Sequence, residues 1–262
     1  MTEARPRPRA LITGASGGIG EAFARQLAKR GHDVVLVARR RERLEDLAAQ
    51  LAEAHGVEAE VIEADLSEDS AVASVEERLR RGDIDLLVNG AGFGTRGEFA
   101  VLPLARELEE LDVNVRALMR LTHAALGPMV ERGRGAVINV ASTGAFQPVP
   151  YMATYAATKA FVLHFSEGLH EEVKGKGVTV TCLCPGPVRT DFQRVAGVND
   201  RQVPAIAWVS VDRVVEAALK AVAARRAIVM PGLLNRVTTG AVKLMPRFAA
   251  RRIAGSMFKR GE

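Results

Sequence analysis

Short apolar segments alternate with longer amphipathic segments through most of the chain, and this alternation restricts the possible folds more than any other feature. Asp33–Ala38 is an apolar run after its first residue, which is typical of parallel strands covered on both faces. The pattern predicts strands at 9–13, 33–38, 57–63, 84–89, 135–141, 177–184 and 227–230, and helices after residue 13 and at 41–55, 68–81, 106–132, 152–174 and 211–224. Strands that alternate with helices indicate an α/β fold: a doubly wound parallel sheet of about seven strands, flanked by helices on both faces.

The alternation contains no repeat and no linker before residue 231, so we predict one domain over residues 1–230. Residues 231–262 form a basic, amphipathic C-terminal extension that is part of this domain or appended to it. Seven Lys or Arg residues and one Glu lie between residues 236 and 262, out of 36 basic and 31 acidic residues in the chain. The rest of the chain is therefore nearly neutral. Because a DNA-binding domain usually carries positive charge on its fold, we expect no nucleic acid partner.

The sequence also bears on the compartment. No apolar run reaches the length that spans a bilayer, and Met1–Arg9 is rich in Arg and Pro where a secretory signal would be apolar. The two cysteines, Cys182 and Cys184, share one face of a predicted strand, which makes a disulfide between them awkward. We expect core thiols in a reducing compartment, with the cytoplasm as the location.

A glycine-rich segment, Thr13–Gly20, joins the first predicted strand to the helix that follows it. Gly14, Gly18 and Gly20 allow positive φ in a tight turn and let the backbone approach a pyrophosphate at the helix N-terminus. The spacing differs by one residue from the common dinucleotide fingerprint, so a tight turn without a ligand is the alternative. We interpret the segment as a dinucleotide-binding turn.

Arginines at the end of the second strand indicate which dinucleotide is bound. An NAD site places Asp or Glu there for the ribose 2′-hydroxyl, whereas Arg accommodates a 2′-phosphate. Here Ala38 is followed by Arg39, Arg40, Arg41 and, after a glutamate, Arg43. Cations at the start of a helix are unfavourable beside the helix dipole, so an anion is expected to offset them. We predict NADP(H), with Arg39 as the main 2′-phosphate ligand and Arg40 as the second; a solvated basic helix start is the alternative.

Tyr155 and Lys159 lie four residues apart and so share one face of the predicted helix 152–174. A phenol has a pKa of about 10 and is a poor base at neutral pH, but a nearby cation lowers that pKa. The pair then supplies a proton donor or acceptor for a carbonyl and its alcohol. Taken alone the spacing arises often by chance, and a structural role is the simpler interpretation.

Other special segments reach the same edge of the predicted sheet. Ser142 follows the fifth strand, and Gly14–Gly20, Asn89–Gly92 and Pro185–Thr190 follow the first, fourth and sixth strands. Ligands of open parallel sheets bind beyond the carboxyl ends of the strands. Four such segments at one edge indicate a binding site, because packing alone does not explain them.

These segments resemble the short-chain dehydrogenase/reductase family in its compact single-domain form, with a Rossmann-type sheet, over roughly residues 9–225. Thr13–Gly20 is similar to the family's cofactor turn, Asp65 and Leu66 to its adenine-contacting pair, and Pro185–Thr190 to the segment that holds the nicotinamide carboxamide. Asn89–Gly92 is similar to its Asn-Asn-Ala-Gly motif, except that glycine replaces the second Asn.

The resemblance implies a reductase that moves hydride between the nicotinamide of NADP(H) and a carbonyl or alcohol carbon. It implies that Tyr155 donates the proton, Ser142 polarises the substrate oxygen, Lys159 lowers the tyrosine pKa and binds the ribose, and Asn114 holds a proton-relaying water. No metal is implied. The cofactor residues are then Gly14, Ser16, Gly18, Ile19, Gly20, Arg39, Arg40, Asp65, Leu66, Asn89, Ala91, Gly92, Tyr155, Lys159, Pro185, Gly186, Val188 and Thr190.

The substrate pocket is predicted from apolar residues on the loops after the catalytic strands. They are Phe93, Phe146, Met152, Pro187, Phe192 and Trp208. Their character indicates a small hydrophobic carbonyl or alcohol substrate, such as a ketone or a 3-oxoacyl compound, although each aromatic is about as often a core residue. A non-catalytic NADP(H)-binding regulatory protein is the alternative, and the complete reacting set disfavours it.

The resemblance further implies a homodimer through the helices at 106–132 and 152–174, or a homotetramer. The C-terminal extension departs from the family's usual ending and is similar to the branch with steroid and 3-ketoacyl reductases. Residues 236–260 are predicted either to contact an anionic membrane or an acidic acyl carrier, or to fold back over the active site or dimer interface.

Overall fold

The computed structural model describes residues 7–197 and 205–258, so predictions for residues 1–6 and for 259 onward lie outside the described residues. Within the described part, seven parallel strands form one sheet in the order β3-β2-β1-β4-β5-β6-β7. The strands are β1 Arg9–Thr13, β2 Asp33–Ala38, β3 Ala59–Glu63, β4 Leu86–Asn89, β5 Gly135–Val140, β6 Val178–Leu183 and β7 Ile228–Val229. This arrangement confirms the predicted doubly wound α/β fold.

Helices cover both faces of the sheet. The helices are α1 Gly18–Lys29, α2 Arg41–His55, α3 Asp69–Arg80, α4 Leu104–Leu111, α5 Leu118–Glu131, α6 Ala153–Glu172, α7 Phe192–Ala196, α8 Val211–Ala223, α9 Leu233–Leu244 and α10 Arg247–Phe258. Alternate residues of β1 point to opposite faces. Ile12 therefore packs in the cluster that includes Phe23 of α1, whereas Leu11 packs in the cluster that includes Leu121 of α5. Because both faces are covered, the central strands are mostly apolar, whereas the edge strand β3 carries Glu60 and Glu63.

The predicted helix 106–132 is observed as one uninterrupted helical segment that runs from Leu104 to Glu131. Within it a π-helical turn, Asp112–Ala117, separates α4 from α5 and contains Asn114. Such turns add a residue to the helical repeat and often occur at functional sites. The stretch 185–210, in which no strand or helix was predicted, contains α7 and a 3₁₀ turn, Ala205–Ala207.

The described part of the C-terminal extension folds back onto the molecule. Helices α9 and α10 follow β7 directly, and α9 packs against the 3₁₀ turns Thr143–Phe146 and Ala205–Ala207 near the carboxyl ends of the strands. This is the second of the two arrangements predicted for the extension. Cys182 and Cys184 are buried and unpaired, in agreement with the prediction. Among residues 7–197 and 205–258, no helix is both long enough and apolar enough to cross a membrane.

Candidate active site

A cavity of about 920 Å³ lies at the carboxyl ends of the strands, where the strand order reverses between β1 and β4. Loops after β1, β2, β4, β5 and β6 line it, and α9 and α10 cover part of it. This is the position at which open α/β sheets bind ligands. The cavity is the candidate active site.

The glycine-rich turn forms one wall of the cavity. Gly14 has φ of 71°, and a Cβ added to Gly20 would lie 2.3 Å from the Gly14 carbonyl oxygen, so the turn is too tight for side chains there. Helix α1 begins at Gly18 without a side-chain cap, which leaves its first N–H groups without intrahelical partners. Because Gly18 and Ile19 line the cavity, these N–H groups suit a phosphate.

Two of the arginines after β2 also line the cavity. Arg40 donates hydrogen bonds to the Ser16 hydroxyl (3.0 Å) and carbonyl (2.7 Å) oxygens, and its guanidinium lies 3.7 Å from Asp191. Arg39 lies 3.5 Å from the Asp65 carboxylate on the other side. The two guanidinium groups therefore lie on either side of the end of β2, with Arg40 beside the glycine-rich turn and Arg39 beside Asp65.

The structure brings most of the other predicted cofactor residues to this cavity. Those that line it are Asp65, Leu66, Ala91, Gly92, Pro185, Gly186, Val188 and Thr190. Asn89 does not reach the cavity: its Nδ2 donates to Thr122 Oγ1 (3.0 Å) and Asn139 Oδ1 (2.9 Å). Because Asn89 is buried in this polar cluster, it connects β4 to α5 and β5 and does not contact the cavity.

Ser142, Tyr155 and Lys159 meet in the same cavity. Ser142 caps the 3₁₀ turn after β5, and its Oγ accepts a hydrogen bond from the Gly144 N–H (3.1 Å), which leaves the hydroxyl hydrogen free to donate elsewhere. Lys159 Nζ donates to the Val140 carbonyl (2.9 Å) and lies 5.8 Å from the centre of the Tyr155 ring. One hydroxyl donor, one phenol and one ammonium thus line the same wall.

Burial dominates the acid–base properties of this wall. It raises the pKa of the Tyr155 phenol to about 12, an increase that the Ser142 hydroxyl opposes. It also lowers the pKa of the Lys159 ammonium to about 8. The lowering of the tyrosine pKa by Lys159 that the sequence predicts does not appear here, because loss of hydration of the phenolate dominates.

Asn114 is fully buried behind the cavity wall and does not line it. Its Nδ2 donates to the Phe93 carbonyl (2.8 Å) and to Thr158 Oγ1 (3.1 Å), and its Oδ1 accepts from the Phe93 N–H (3.1 Å). Both amide hydrogens are thus used by protein groups. A Cβ added to Gly92 would lie 2.8 Å from Asn114 Oδ1 and 3.3 Å from Lys159 Nζ, so these two side chains meet beside Gly92.

The apolar part of the cavity contains five of the six predicted substrate residues: Phe93, Phe146, Met152, Pro187 and Phe192. The Phe192 ring lies 5.2 Å from the Tyr155 ring, centre to centre. Trp208 does not line the cavity, because its ring packs under the Arg189 guanidinium at 5.1 Å.

Sequence reasoning left open whether the C-terminal extension folds over the active site, and it named none of the extension's residues as part of this wall. Leu234 and Val242 of α9 and Ile253 of α10 line the cavity, as does Val149 from the loop before α6. Leu234, Thr238 and Val242 are four residues apart and share one helical face. That spacing predicted a helical face that packs against another part of the protein, but the nearby sequence did not show which part.

Comparison with known families agrees with this geometry. The family model described as short chain dehydrogenase matches residues 8–201. The chain belongs to the short-chain dehydrogenase family, a family of oxidoreductases that bind a nicotinamide cofactor.

Among its relatives is the very-long-chain 3-oxoacyl-CoA reductase of Anas platyrhynchos, 36% identical over 195 residues, or 71% of this chain and 62% of that one. The chain thus spans less than two thirds of that relative's length. A short-chain dehydrogenase from Sphingobium yanoikuyae, solved in complex with NADPH, is 37% identical with a TM-score of 0.82 over 92% of this chain and 97% of that one. A bulky-bulky ketone specific alcohol dehydrogenase from Comamonas testosteroni is 34% identical with a TM-score of 0.78, over 92% and 95%.

Proposed function

We propose that this protein is an NADP(H)-dependent reductase that transfers hydride between nicotinamide and the carbonyl or alcohol carbon of a hydrophobic ketone or 3-oxoacyl-type substrate. One observation carries the proposal. A single cavity contains the uncapped, glycine-rich N-terminus of α1 and also Ser142, Tyr155 and Lys159. A phosphate-binding helix end beside a proton donor is what a nicotinamide-dependent reductase requires.

The residues of the cavity fit a nicotinamide dinucleotide with a 2′-phosphate. The N–H groups at Gly18 and Ile19 would hold the pyrophosphate, Arg39 and Arg40 the 2′-phosphate, and Asp65 the adenine side. Arg39 and Arg40 lie at the end of β2. An NAD-specific site would instead present a carboxylate to the ribose there. The NADPH complex of the Sphingobium relative supports the same choice of cofactor.

The reacting residues have complementary roles in this proposal. The nicotinamide supplies the hydride when it is bound. The Ser142 hydroxyl, whose oxygen is held by the Gly144 N–H, donates to the substrate oxygen and positions it. The phenol of Tyr155 supplies the proton to that oxygen, and its high pKa keeps it protonated until negative charge develops there.

Lys159 and Asn114 support the phenol. The Lys159 ammonium stabilises the phenolate that forms after proton donation, and the Val140 carbonyl fixes its position. Asn114, inside the π-helical turn, holds the Phe93 backbone and Thr158. It therefore sets the distance between the loop after β4 and the helix that carries Tyr155.

The walls of the cavity support a large apolar substrate. Phe93, Phe146, Met152 and Phe192 line the cavity that contains the reacting residues, and α9 and α10 add aliphatic side chains to its lining. At about 920 Å³ the cavity lies at the upper end of the volumes usual for ligand-binding sites. The bulky-ketone specificity of the Comamonas relative and the 3-oxoacyl-CoA specificity of the duck relative fall within this substrate class.

The test is reduction of bulky ketones with NADPH by wild-type protein and by Tyr155→Phe. The variant should lose turnover at least a thousandfold and keep the NADPH Kd, because only the proton-donating hydroxyl is removed. Substantial turnover by the variant would contradict the proposal. NADPH binding without turnover by wild-type protein across the ketone series would favour the alternative, a non-catalytic NADP(H)-binding regulator.

Exposed apolar side chains support the proposed homodimer. Leu108 of α4, Met119 of α5 and Phe161 of α6 are exposed, and the Phe161 ring stacks on Phe165 at 5.4 Å. These helices fall within the two segments predicted to pair. Light scattering should show a dimer that Phe161→Glu converts to monomer. Contact of residues 236–260 with an anionic membrane or acyl carrier stays a prediction, tested by liposome co-sedimentation with and without residues 236–262.

A further inference from the structure

Helix α4 shows the reverse of the usual amphipathic arrangement. Leu104, Leu108 and Leu111 are exposed by 63%, 50% and 41%, whereas Glu107 and Glu110 are exposed by only 3% and 0%. Burial of a carboxylate is costly unless a partner or a proton neutralises it. Two carboxyl groups turned inward on one helix therefore point to a role beyond packing.

The hydrogen bonds of the two carboxyls are incomplete. Glu110 Oε2 accepts from the Thr95 N–H (3.0 Å) and hydroxyl (2.9 Å), and Glu107 Oε2 accepts from the Thr154 hydroxyl. Oε1 of each carboxyl is buried and has no hydrogen-bond partner within residues 7–197 and 205–258. Buried polar atoms of this kind are normally satisfied by a proton of their own or by water.

The carboxyls form a row that runs along helix α6. Glu107, Glu110 and Asn114 are three and four residues apart on α4 and the π-helical turn, so they follow one face. Thr154 of α6 bonds Glu107, and Thr158 of α6 bonds Asn114. Glu110 accepts from Thr95, and a Cβ added to the neighbouring Gly94 would lie 2.9 Å from Tyr155 Cδ2, while Asn114 Oδ1 and Lys159 Nζ meet beside Gly92. These contacts place the row beside the reacting phenol and ammonium.

The two ends of the row differ in their surroundings. Glu107 lines a second cavity of about 450 Å³, whose other walls include the exposed Phe99 and, from α10, Gly255. At the other end, Glu110 interacts electrostatically with Lys159 and Tyr155. The row thus connects the surface to the back of the reacting residues.

The acid–base properties of the inner end suit proton exchange. Burial raises the pKa of the Glu110 carboxyl to about 7; Glu107 adds to this increase, and the bonds from Thr95 and the charge of Lys159 oppose it. Burial lowers the pKa of Lys159 to about 8, and the charge of Glu110 opposes that change. Groups of similar pKa exchange a proton at little cost in free energy.

We propose that Glu110 acts through Lys159 as a proton relay, which exchanges protons between the Lys159 amine and the surface cavity beside Glu107. This rests on the proposed function. After Tyr155 gives its proton to the substrate oxygen, Lys159 returns a proton to the phenolate and becomes neutral. The Glu110 carboxyl then transfers its proton to the amine through a bridging water, because the two side chains form no direct hydrogen bond or ion pair, and the carboxylate is reprotonated from the cavity by way of Glu107. One solvent proton enters for each carbonyl reduced, and every side chain returns to its starting state.

The first test needs neither substrate nor cofactor. The full chain is labelled with ¹³C at the lysine ε-carbons, the Lys159 resonance is assigned with Lys159→Arg, and its pH titration is followed by NMR. Glu110→Gln should move the midpoint of the Lys159 titration to lower pH, because the carboxylate stabilises the ammonium. Glu77→Gln, an exposed site on α3, is the matched control. A midpoint that Glu110→Gln leaves unchanged overturns the proposal.

The second test is kinetic. With saturating NADPH and ketone, kcat is measured from pH 6 to pH 9 in H₂O and D₂O. Glu110→Gln should lower kcat at least tenfold above pH 7, increase the solvent isotope effect and leave the NADPH Kd unchanged, because return of the proton becomes rate-limiting. Glu110→Asp keeps a carboxyl and should recover part of the rate, and Glu77→Gln should match wild type.

The outcomes separate the relay from the proposed function. If wild-type protein neither binds NADPH nor reduces a ketone, the proposed function fails. If wild-type protein turns over and Glu110→Gln keeps its kcat, pH profile and isotope effect, only the relay fails. Loss of NADPH binding together with activity in Glu110→Gln also overturns the relay, because the effect is then structural.

Discussion

Replacement of Glu110 by Gln should increase the stability of the protein relative to wild type as the pH rises. The Glu110 carboxyl has a pKa of about 7 in the folded protein, chiefly because it is buried, against an ordinary value of 4.5. Since folding raises this pKa, the carboxyl favours the folded state when protonated, and that contribution is lost as the pH rises from 4.5 through 7. The difference between the two pKa values corresponds to about 3 kcal/mol. Glutamine is neutral at every pH and avoids this loss.

The assay is urea unfolding of both proteins at several pH values between 5 and 8.5. The free energy of unfolding of the variant, minus that of wild type, should increase by up to about 3 kcal/mol over this range. A pH-independent cost of glutamine, such as an amide hydrogen without an acceptor, cancels in this comparison. Glu77→Gln should show no comparable trend. A difference between Glu110→Gln and wild type that stays constant across the range would refute the reasoning.

Arg39→Ala should weaken NADPH binding by about 10–100-fold and leave NADH binding nearly unchanged, since a charge-assisted bond to the 2′-phosphate is lost; fluorescence titration measures both, and equal losses would contradict the assignment. Gly186→Ala should destabilise the protein by about 1–3 kcal/mol, because an added Cβ would lie 2.3 Å from Asn235 Nδ2. When it is combined with Gly186→Ala, Asn235→Ala should recover part of that loss of stability in thermal unfolding. If the effects of the two substitutions on stability simply add, this explanation is wrong. Asp83→Asn should cost about 1 kcal/mol at pH 7 once solvent screening is allowed for. Burial raises the Asp83 pKa, but hydrogen bonds from Arg78 and Arg9 outweigh this effect and lower the pKa to about 2. The cost should therefore disappear as the pH falls from about 4 through 2, and an undiminished cost in acid denaturation curves would argue against this ion pair.

The strand pattern was predictable because of the way parallel sheets are buried. Strands covered on both faces are apolar throughout, so the predicted bounds of β1 (Arg9–Thr13) and β2 (Asp33–Ala38) coincide with the observed ones. The predicted strand bounds were less accurate where apolar residues continue beyond the residues that pair with the neighbouring strand. The last strand was predicted at 227–230, but β7 spans only Ile228–Val229.

Most of the candidate site was also predictable. Parallel topology brings the carboxyl end of every strand to one edge, so Ser142 and the loops after β1, β4 and β6 meet there whatever the packing of the helices. Tyr155 and Lys159 follow from helical spacing. Asn89 was assigned to the cofactor site by its resemblance to a family motif, and Trp208 to the pocket by its place on a loop after a catalytic strand. Their own polar and cation–π contacts hold them away from the cavity.

The sequence by itself therefore determined the order of the strands and helices and the residues that meet at the carboxyl edge, because both follow from local periodicity and from the geometry of a parallel sheet. Only the tertiary structure decided that α9 and α10 cover the cavity, that a π-helical turn carries Asn114, and that Glu107 and Glu110 face inward. Helical spacing shows which residues share a face, but burial of that face depends on contacts with residues distant in the chain. For α4 those contacts come from Thr95 and from α6, and they bury the carboxyls while the leucines remain exposed.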